Sequence, residues 1–222
     1  MMMLKIALPN GSLEETTFKL FEEAGITIEK LSPRSFVGEA SDPRIARLRI
    51  IRPQQIPYLV ERGGDDVGIC GLDCVKESES DVMIVREFDY SKKGFVKVKV
   101  VLFANAADSI QDPSEIPPYS EIISEYPNCT RKFFEKLGIP VKIDFSYGKT
   151  EAYVPNDYRF GVCIMETGTT LKETNQKILA VLFESPVVLI TNRKTWSDPQ
   201  KRKLIEELAN ELSEAYEKLK RE

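Results

Sequence analysis

The sequence predicts an α/β protein of two lobes, and three observations support this prediction. The chain has 222 residues, enough for two small domains that each bury a hydrophobic core. Short apolar stretches alternate with amphipathic ones, which is typical of alternating strands and helices. At residue 95 a long alternating stretch begins, FVKVKVVLFAN, which indicates entry into a second lobe. We therefore expect a first lobe over residues 1–92 and 176–222 and a second over residues 93–175.

The first lobe opens with a strand, a turn and a helix. LKIALP predicts a buried strand, and the stretch NGSLEETTFKLFEEAGI that follows predicts a helix. Ser12 and Glu15 have capping-box spacing, which predicts the start of the helix. Gly25 predicts its end. Apolar residues recur between them at roughly helical spacing, namely Phe18, Leu20, Phe21 and Ile26.

The rest of the first lobe continues the alternation. RLRIIR predicts a strand, Pro57 opens the helical stretch YLVERGG, DVGICG predicts a buried strand, and LDCVKES predicts a helix. This order predicts a mostly parallel sheet with helices on its faces, and ligands of such sheets bind at the carboxyl ends of strands.

The second lobe and the C-terminal part show the same alternation of apolar and amphipathic stretches. EIISEYPNCTRKFFEKLGI predicts strand, turn and helix, VKIDFS and FGVCIM predict strands, and the proline-rich ADSIQDPSEIPPYS predicts a surface loop. Residues 170–183, TLKETNQKILAVLF, have a helix-like pattern, and SPVVLITN predicts a further strand. The last stretch predicts an amphipathic helix with one apolar face, formed by Leu204, Ile205, Leu208, Leu212 and Tyr216.

Composition excludes several classes of function. The chain has no histidine, so serine–histidine and cysteine–histidine hydrolases are excluded. Its four cysteines form no Cys-x-x-Cys pair and are expected to be buried thiols. The net charge of −4 argues against nucleic acid or an anionic membrane as a partner. MMMLKIALPNG does not have the pattern of a signal peptide, so a cytoplasmic location is expected.

The turn in METGTTLKE is a candidate anion site. Gly168 allows a tight bend after a strand, and the amides at the start of a helix attract anions. Thr167, Thr169 and Thr170 add hydroxyl donors, so a phosphate monoester suits this turn. The alternative, given equal weight, is that Thr170 only caps the helix with Glu173 as its capping-box partner.

Two other predicted strand ends have a similar build. Gly11 and Ser12 follow LKIALP, whereas Gly68, Gly71 and Asp73 lie in and after DVGICG. Each is weak evidence alone, because a strand followed by a glycine turn and a helix is common in α/β proteins and usually has a structural role. Three such ends in two lobes predict a small-molecule cleft between the lobes.

The order of these stretches resembles the short form of ATP phosphoribosyltransferase. The resemblance covers nearly the whole chain and rests on LKIALPNGSL, RPQQIPYLVERGGDDVGICGLDCVKE, YPNCT, GKTEAYVP, METGTTLKETN and VVLITN. It implies two α/β lobes like those of type II periplasmic binding proteins. It also implies the first step of histidine biosynthesis, in which ATP is joined to phosphoribosyl pyrophosphate with magnesium as cofactor and release of pyrophosphate.

The resemblance also implies site residues and partners. The phosphate loop comprises Glu166, Thr167, Gly168, Thr169, Thr170 and Leu171. The nucleotide positions are Gly11, Arg52, Gly71 and Asp73, and other cleft positions are Asn10, Ser12, Glu151 and Cys163. No catalytic residue and no metal ligand are assigned. The chain is expected to form a homo-oligomer or to pair with a regulatory subunit like histidyl-tRNA synthetase, although its terminal helix equally suits covering the first lobe.

Several positions depart from the family pattern. Asn10 and Ser12 replace two cations, Glu125 replaces a lysine, Lys149 a serine and Gln55 an aspartate. Cys163 stands where an aspartate is usual, and a thiol is a poor ligand for magnesium or ribose hydroxyls. The family pattern has a second acidic position upstream of the phosphate loop, and in this chain that position falls near Arg159.

The charge changes remove about three phosphate contacts of ~1.5 to 3 kcal/mol each, of which Lys149 and Arg159 are candidates to restore two. Two alternatives therefore stay open beside the leading function. One is a relative with another acceptor, and the other is a silent protein that binds a phosphorylated ligand or regulates a partner.

Overall fold

A computed structural model describes residues 3–32, 35–92 and 94–221. Its strands are β1 (Leu4–Pro9), β2 (Ile28–Lys30), β3 (Val37–Ala40), β4 (Ile45–Ile51), β5 (Val67–Gly71), β6 (Met83–Phe88), β7 (Val98–Asn105), β8 (Glu121–Ser124), β9 (Lys142–Phe145), β10 (Phe160–Met165), β11 (Gln176–Ser185) and β12 (Val187–Thr191). Its α-helices are α1 (Glu14–Glu23), α2 (Ile56–Glu61), α3 (Leu72–Ser78), α4 (Pro127–Leu137), α5 (Thr169–Glu173), α6 (Arg193–Ser197) and α7 (Pro199–Leu219).

The chain divides into two compact units. One comprises Met1–Val96 and Pro186–Glu222, and the other comprises Lys97–Ser185. We call them the first and second lobes. The predicted return to the first lobe at residue 176 is ten residues too early, because β11 pairs along its length with β7 in the second lobe.

The sheet of the first lobe has the order β2-β3-β4-β1-β5-β12-β6. Only β4, β1 and β5 pair in parallel, whereas β2, β3, β12 and β6 join through antiparallel pairs. The prediction of a mostly parallel sheet is therefore wrong outside its centre. The three parallel strands still end at one edge, which is where ligands of such sheets bind.

Helices cover both faces of this sheet. On one face α1 and α7 enclose a core with β1, in which Leu8, Phe21 and Leu208 are buried. On the other face α2 and α3 pack through Ile56 and Cys74. The predicted apolar face of α7 is confirmed, with Leu204 partly buried and the other four members buried.

The predicted capping box at the start of α1 is absent. Ser12 lies in a short 3-10 turn, Gly11–Leu13, and α1 begins at Glu14 without a side-chain cap. Glu15 instead pairs with Lys19 one turn later, with 2.8 Å between Oε1 and Nζ. The predicted stop is confirmed, because Gly25 has φ +80° directly after the helix.

The second lobe has a five-stranded sheet in the order β11-β7-β10-β8-β9. Strands β10, β8 and β9 are parallel neighbours, and β7 is antiparallel to both β10 and β11. Phe134 of α4 is buried in the core of this lobe, among side chains of β7, β8 and β10.

The helix-like prediction for residues 170–183 is wrong beyond residue 173. Asn175 has φ +54°, and the chain then continues as strand β11. The pairing register of β11 shifts between Ile178 and Ala180 and again between Val181 and Phe183. These irregularities interrupt the strict alternation of a strand, which is why the sequence pattern imitated a helix.

Two further findings concern composition. All four cysteines are free and buried, as expected from the sequence. No helix within the described residues has the length and apolar character needed to cross a membrane.

Candidate active site

The parallel strands of the first lobe bring one set of predicted site residues to one edge. Strand β4 ends before Arg52, β1 ends before Asn10, and β5 ends at Gly71. Asn10 donates its backbone N–H to the carbonyl of Ile51 at 2.8 Å, which places it beside Arg52. Asp73 follows in the first turn of α3. The sequence-predicted nucleotide residues therefore share the carboxyl edge of β4, β1 and β5.

The turn after β1 is open to solvent. Gly11 has φ +75°, a backbone conformation that favours glycine, and a Cβ built there meets no atom within 4 Å. Gly11 and Ser12 are exposed, and so are Arg52 and Gln55 across the edge. This corner of the edge is accessible, and Arg52 contributes positive charge to it.

The turn after β5 is closed by comparison. Asp73 is only 7% exposed. A Cβ built on Gly71 would lie 2.0 Å from Asp73 Oδ1. The Cys74 thiol donates to Asp73 Oδ2 over 3.6 Å, and burial, with the Asp73 charge second, holds the pKa of Cys74 well above its usual range. Gly68 is buried in the sheet, where its missing side chain makes room for Ile56.

The second lobe brings another set of site residues to the carboxyl edge of its parallel strands. Strand β10 ends before Glu166, β8 ends before Glu125, and β9 ends before Ser146. The backbone N–H of Glu125 donates to the carbonyl of Val162 at 3.1 Å, so Glu125 lies next to β10 near Cys163.

The loop Glu166–Leu171 is open. Gly168 has φ +73° and precedes α5, in which Lys172 donates its N–H to the Gly168 carbonyl at 3.2 Å. The N–H groups before Lys172 belong to the first turn, which has no acceptors within its own helix. Thr167, Thr169 and Thr170 are exposed, and the Met165 side chain packs under Gly168, where its Sδ would lie 3.2 Å from a Cβ at that position.

The alternative reading of this loop as a simple cap is wrong. Thr170 lies inside α5, and no side chain caps this helix. The hydroxyls of Thr167 and Thr169 lie 3.0 Å apart instead. Leu171 is buried in the same apolar cluster as Cys163, which anchors the loop to β10.

Cys163 is a buried neutral thiol. It is 2% exposed, and burial raises its pKa, with Glu151 and Glu125 as further causes. A protonated thiol among apolar side chains binds neither magnesium nor ribose hydroxyls well. Its two carboxylate neighbours place negative charge close to the strand end that precedes the loop.

A polar network that sequence reasoning missed holds one of these carboxylates. Thr150 donates to Glu125 Oε1 at 2.8 Å and lies 2.9 Å from the Ser146 hydroxyl. Thr150 and Ser146 are buried. Their only sequence signal is small polar residues after a strand, which is common in loops.

The two cations proposed to compensate for lost phosphate contacts have different surroundings. Arg159 lies at the start of β10, at the opposite end of that strand from the loop, and donates two hydrogen bonds to Asp108 at 2.7 and 2.9 Å. It is therefore not available for a phosphate at the loop. Lys149 is exposed, with φ +54°, directly before Thr150.

Metal binding by protein groups alone has no support within the described ranges. There, no group of three or more histidine, cysteine, aspartate or glutamate side chains could hold an ion. Magnesium often binds through only one or two carboxylates together with substrate phosphates, and Glu125 and Glu151 are of that type.

The fold of this chain is that of the two-lobed type II periplasmic binding proteins. The aliphatic sulphonate binding protein SsuA from Escherichia coli matches it with a TM-score of 0.56 at 11% identity, covering 96% of this chain and 68% of SsuA. The ATP phosphoribosyl transferase (HisG:HisZ) complex from Thermotoga maritima matches with a TM-score of 0.81 at 26% identity, covering 97% of this chain and 99% of that one.

Sequence comparison identifies the family. The model described as "HisG: ATP phosphoribosyltransferase" matches residues 52–214. The ATP phosphoribosyltransferase of Geotalea daltonii is 39% identical over 217 residues, covering 96% of this chain and 72% of that relative. ATP phosphoribosyltransferase 1 of Geobacter sulfurreducens is 38% identical over 218 residues, covering 96% and 72%. The chain belongs to the ATP phosphoribosyltransferase family, and the enzyme class expected from the sequence, a glycosyltransferase, is confirmed.

Proposed function

We propose that this chain catalyses the ATP phosphoribosyltransferase reaction of histidine biosynthesis. A ring nitrogen of adenine in ATP forms a bond to the anomeric carbon of phosphoribosyl pyrophosphate. The bond from that carbon to the pyrophosphate oxygen breaks, and its electron pair leaves with pyrophosphate. The observation that carries the proposal is family membership over most of the chain, with the family's loop Glu166–Leu171 present and open.

The loop Glu166–Leu171 is assigned to the 5-phosphate of the ribose. Its first-turn amides, supplemented by the hydroxyls of Thr167, Thr169 and Thr170, are donors suited to a phosphate dianion. The exposure of the three threonines leaves these donors accessible. The buried Leu171 keeps the loop attached to the sheet, so its donors are held in place before the ligand arrives.

The carboxyl edge of the first lobe is assigned to the nucleotide. Arg52 supplies positive charge for phosphates, and Gly11 opens the turn beside it. The Asp73 carboxylate is an acceptor for a hydroxyl or amino group of the nucleotide. Asn10 and Ser12 complete this edge as neutral polar groups, so their contribution is weaker than that of cations.

Catalysis requires alignment and charge stabilisation. Holding the ring nitrogen, the anomeric carbon and the leaving oxygen in line contributes through positioning, which needs no general base at the reacting carbon. This agrees with a chain that has no histidine. Stabilising the leaving pyrophosphate contributes the remainder.

Magnesium is the proposed cofactor, held mainly by the substrate phosphates. When bound, it neutralises the charge that develops on the leaving pyrophosphate. Glu125 and Glu151, whose charges add to the raised pKa of Cys163, are candidates to complete the oxygen ligands of magnesium. Thr150 restrains Glu125 through its hydroxyl.

The proposed assembly is an oligomer in the cytoplasm. The Thermotoga maritima structure is a HisG:HisZ complex, and the high similarity of this chain to it supports a regulatory subunit of the HisZ kind as a partner. Pairing with a second copy of this chain is the other form of oligomer.

A second candidate function keeps the ribose-phosphate loop and transfers to another acceptor. The observation that favours it is the negative or neutral character of positions where the family has a cation or a carboxylate ligand, namely Asn10, Ser12, Glu125 and the protonated Cys163. A silent protein that only binds the phosphorylated sugar would share these features.

Pyrophosphate release separates these functions. The purified chain is incubated with phosphoribosyl pyrophosphate, magnesium and one nucleotide at a time, with and without a HisZ-type subunit. Release with ATP alone supports the proposal, and release with a different acceptor supports the second candidate. Binding of phosphoribosyl pyrophosphate without release from any acceptor leaves the silent function.

A further inference from the structure

Gly71 has no conformational reason to be glycine. Its backbone has φ −69° and ψ 148°, an extended conformation that any residue adopts. Gly11 and Gly168, in contrast, have φ +75° and +73°, where a side chain is strained. What Gly71 provides is therefore space and not a special backbone geometry.

That space is occupied by the Asp73 carboxylate. A Cβ on Gly71 would lie 2.0 Å from Asp73 Oδ1 and 3.1 Å from Asp73 Cγ, and these are its nearest neighbours. A contact of 2.0 Å between non-bonded heavy atoms is impossible, so any side chain at position 71 must displace the carboxylate. The carboxylate folds back over the strand end because the space above Gly71 is empty.

The other carboxylate oxygen is held by the next residue. Cys74 donates its thiol hydrogen to Oδ2, and Asp73 and Cys74 are both buried, at 7% and 5% exposure. The Cys74 thiol therefore restrains Oδ2, and Oδ1 occupies the space that a side chain at position 71 would take. A side chain at position 71 would move Oδ1 and with it Oδ2, which accepts the hydrogen bond from Cys74.

We propose that Gly71 is a positioning residue that acts on the nucleotide only through Asp73, by leaving the volume in which the Asp73 carboxylate is held. The inference rests on the proposed function, in which Asp73 contacts the nucleotide. It assigns Gly71 a role different from that of a glycine whose backbone approaches a ligand directly.

A double-mutant cycle of Gly71→Ala and Asp73→Ala tests this role. Gly71→Ala alone is expected to raise the KM for ATP about tenfold and to leave the KM for phosphoribosyl pyrophosphate within about twofold. In the Asp73→Ala background, the same change at position 71 is expected to alter the KM for ATP by less than about twofold. An equal effect of Gly71→Ala in both backgrounds overturns the proposal.

Gly38→Ala is the matched control for general destabilisation. A Cβ on Gly38 would lie 2.9 Å from the Glu29 carbonyl oxygen and 2.9 Å from Leu48 Cδ2, which is a packing conflict in the same lobe. We expect a lowered Tm and no selective change in the KM for ATP. A selective rise for ATP in this control would show that loss of stability alone explains the Gly71 result.

Thermal unfolding measures the steric conflict between a side chain at position 71 and the Asp73 carboxylate without an activity assay. Gly71→Ala is expected to lower the Tm in the wild-type background and much less in the Asp73→Ala background. Recovery of a folded double variant supports the proposal even if Gly71→Ala alone does not fold, whereas an unfolded double variant overturns it. If the wild-type chain releases no pyrophosphate from ATP, the proposed function fails, and the Tm coupling alone still decides whether Gly71 acts through Asp73.

Discussion

Two turns in this chain join the same kinds of element, but one exposes its polar groups and the other buries them. In each, a parallel strand ends, a glycine follows or closes the strand, and a short helix begins. The loop Glu166–Leu171 of the second lobe exposes its donors, and Gly168 is needed for φ +73°. The turn at Gly71 buries its polar group, and the glycine is needed for space.

This difference illustrates two ways in which a protein presents polar groups to a ligand. The exposed loop has several weak hydrogen-bond donors, and an anion binds to them with little rearrangement of the fold. The buried turn offers one carboxylate whose orientation is fixed before a ligand arrives, so a change there has fewer ways to relax. We therefore expect larger functional effects from the Asp73 turn than from single changes in the loop.

The largest effect is expected for Asp73→Asn. This change keeps the shape that fits above Gly71 and removes the charge. A charge-assisted hydrogen bond contributes about 1.5–3 kcal/mol, so the KM for ATP should rise about 10- to 150-fold. Initial rates at varied ATP measure it. An equal rise for phosphoribosyl pyrophosphate would contradict the assignment of Asp73 to the nucleotide.

A smaller effect on the other substrate is expected for Gly168→Ala. The left-handed conformation costs a residue with a side chain about 1–2 kcal/mol, which should raise the KM for phosphoribosyl pyrophosphate about 5- to 30-fold. Gly25→Ala is the matched control, because Gly25 has φ +80° and open space around it. It should lower stability similarly and leave both KM values unchanged. Equal kinetic losses in the two variants would speak against the loop.

The third effect concerns one hydroxyl of the loop. Thr169→Ala removes a single neutral donor, worth about 0.5–1.5 kcal/mol, and should weaken binding of phosphoribosyl pyrophosphate about 2- to 10-fold. Thr169→Ser keeps the hydroxyl and should restore most of the affinity. Titration calorimetry measures both variants, and a serine variant as weak as the alanine variant would exclude the hydroxyl contact.

The smallest effect is expected for Asp108→Asn, which changes a residue away from both turns. Arg159 holds the pKa of Asp108 below its usual range, so their pairing stabilises the fold above about pH 4 and is lost as the pH falls below it. The Tm difference between wild type and Asp108→Asn should be full at neutral pH and shrink below about pH 4. Activity at neutral pH should stay unchanged. A large loss of phosphoribosyl pyrophosphate binding in Asp108→Asn would contradict the placement of this ion pair away from the substrate site.

The sequence predicted the buried strands and the position of the loop because these depend on local patterns. LKIALP, DVGICG and FGVCIM are mostly apolar runs bounded by turns, and all three form strands. The sequence does not predict strands β2, β3 and β6, because each is short or lies at a sheet edge, and few of their side chains are buried. Strand β11 was misassigned, because two register shifts disrupt its alternation.

Several side-chain contacts of the second lobe join residues that are distant in sequence. Asp108 and Arg159 are 51 positions apart, and Glu125 and Thr150 are 25 apart. No local pattern reports such pairs. The sequence predicts that Gly71 and Asp73 belong to one turn, but only the structure shows that the carboxylate occupies the space of the missing Cβ.

The most direct test of the account is a crystal structure of the chain with phosphoribosyl pyrophosphate and magnesium. We expect the 5-phosphate within hydrogen-bonding distance of the first-turn amides of α5 and of at least one loop hydroxyl. A well-ordered ligand whose 5-phosphate lies elsewhere, with the loop Glu166–Leu171 untouched, would contradict the central assignment.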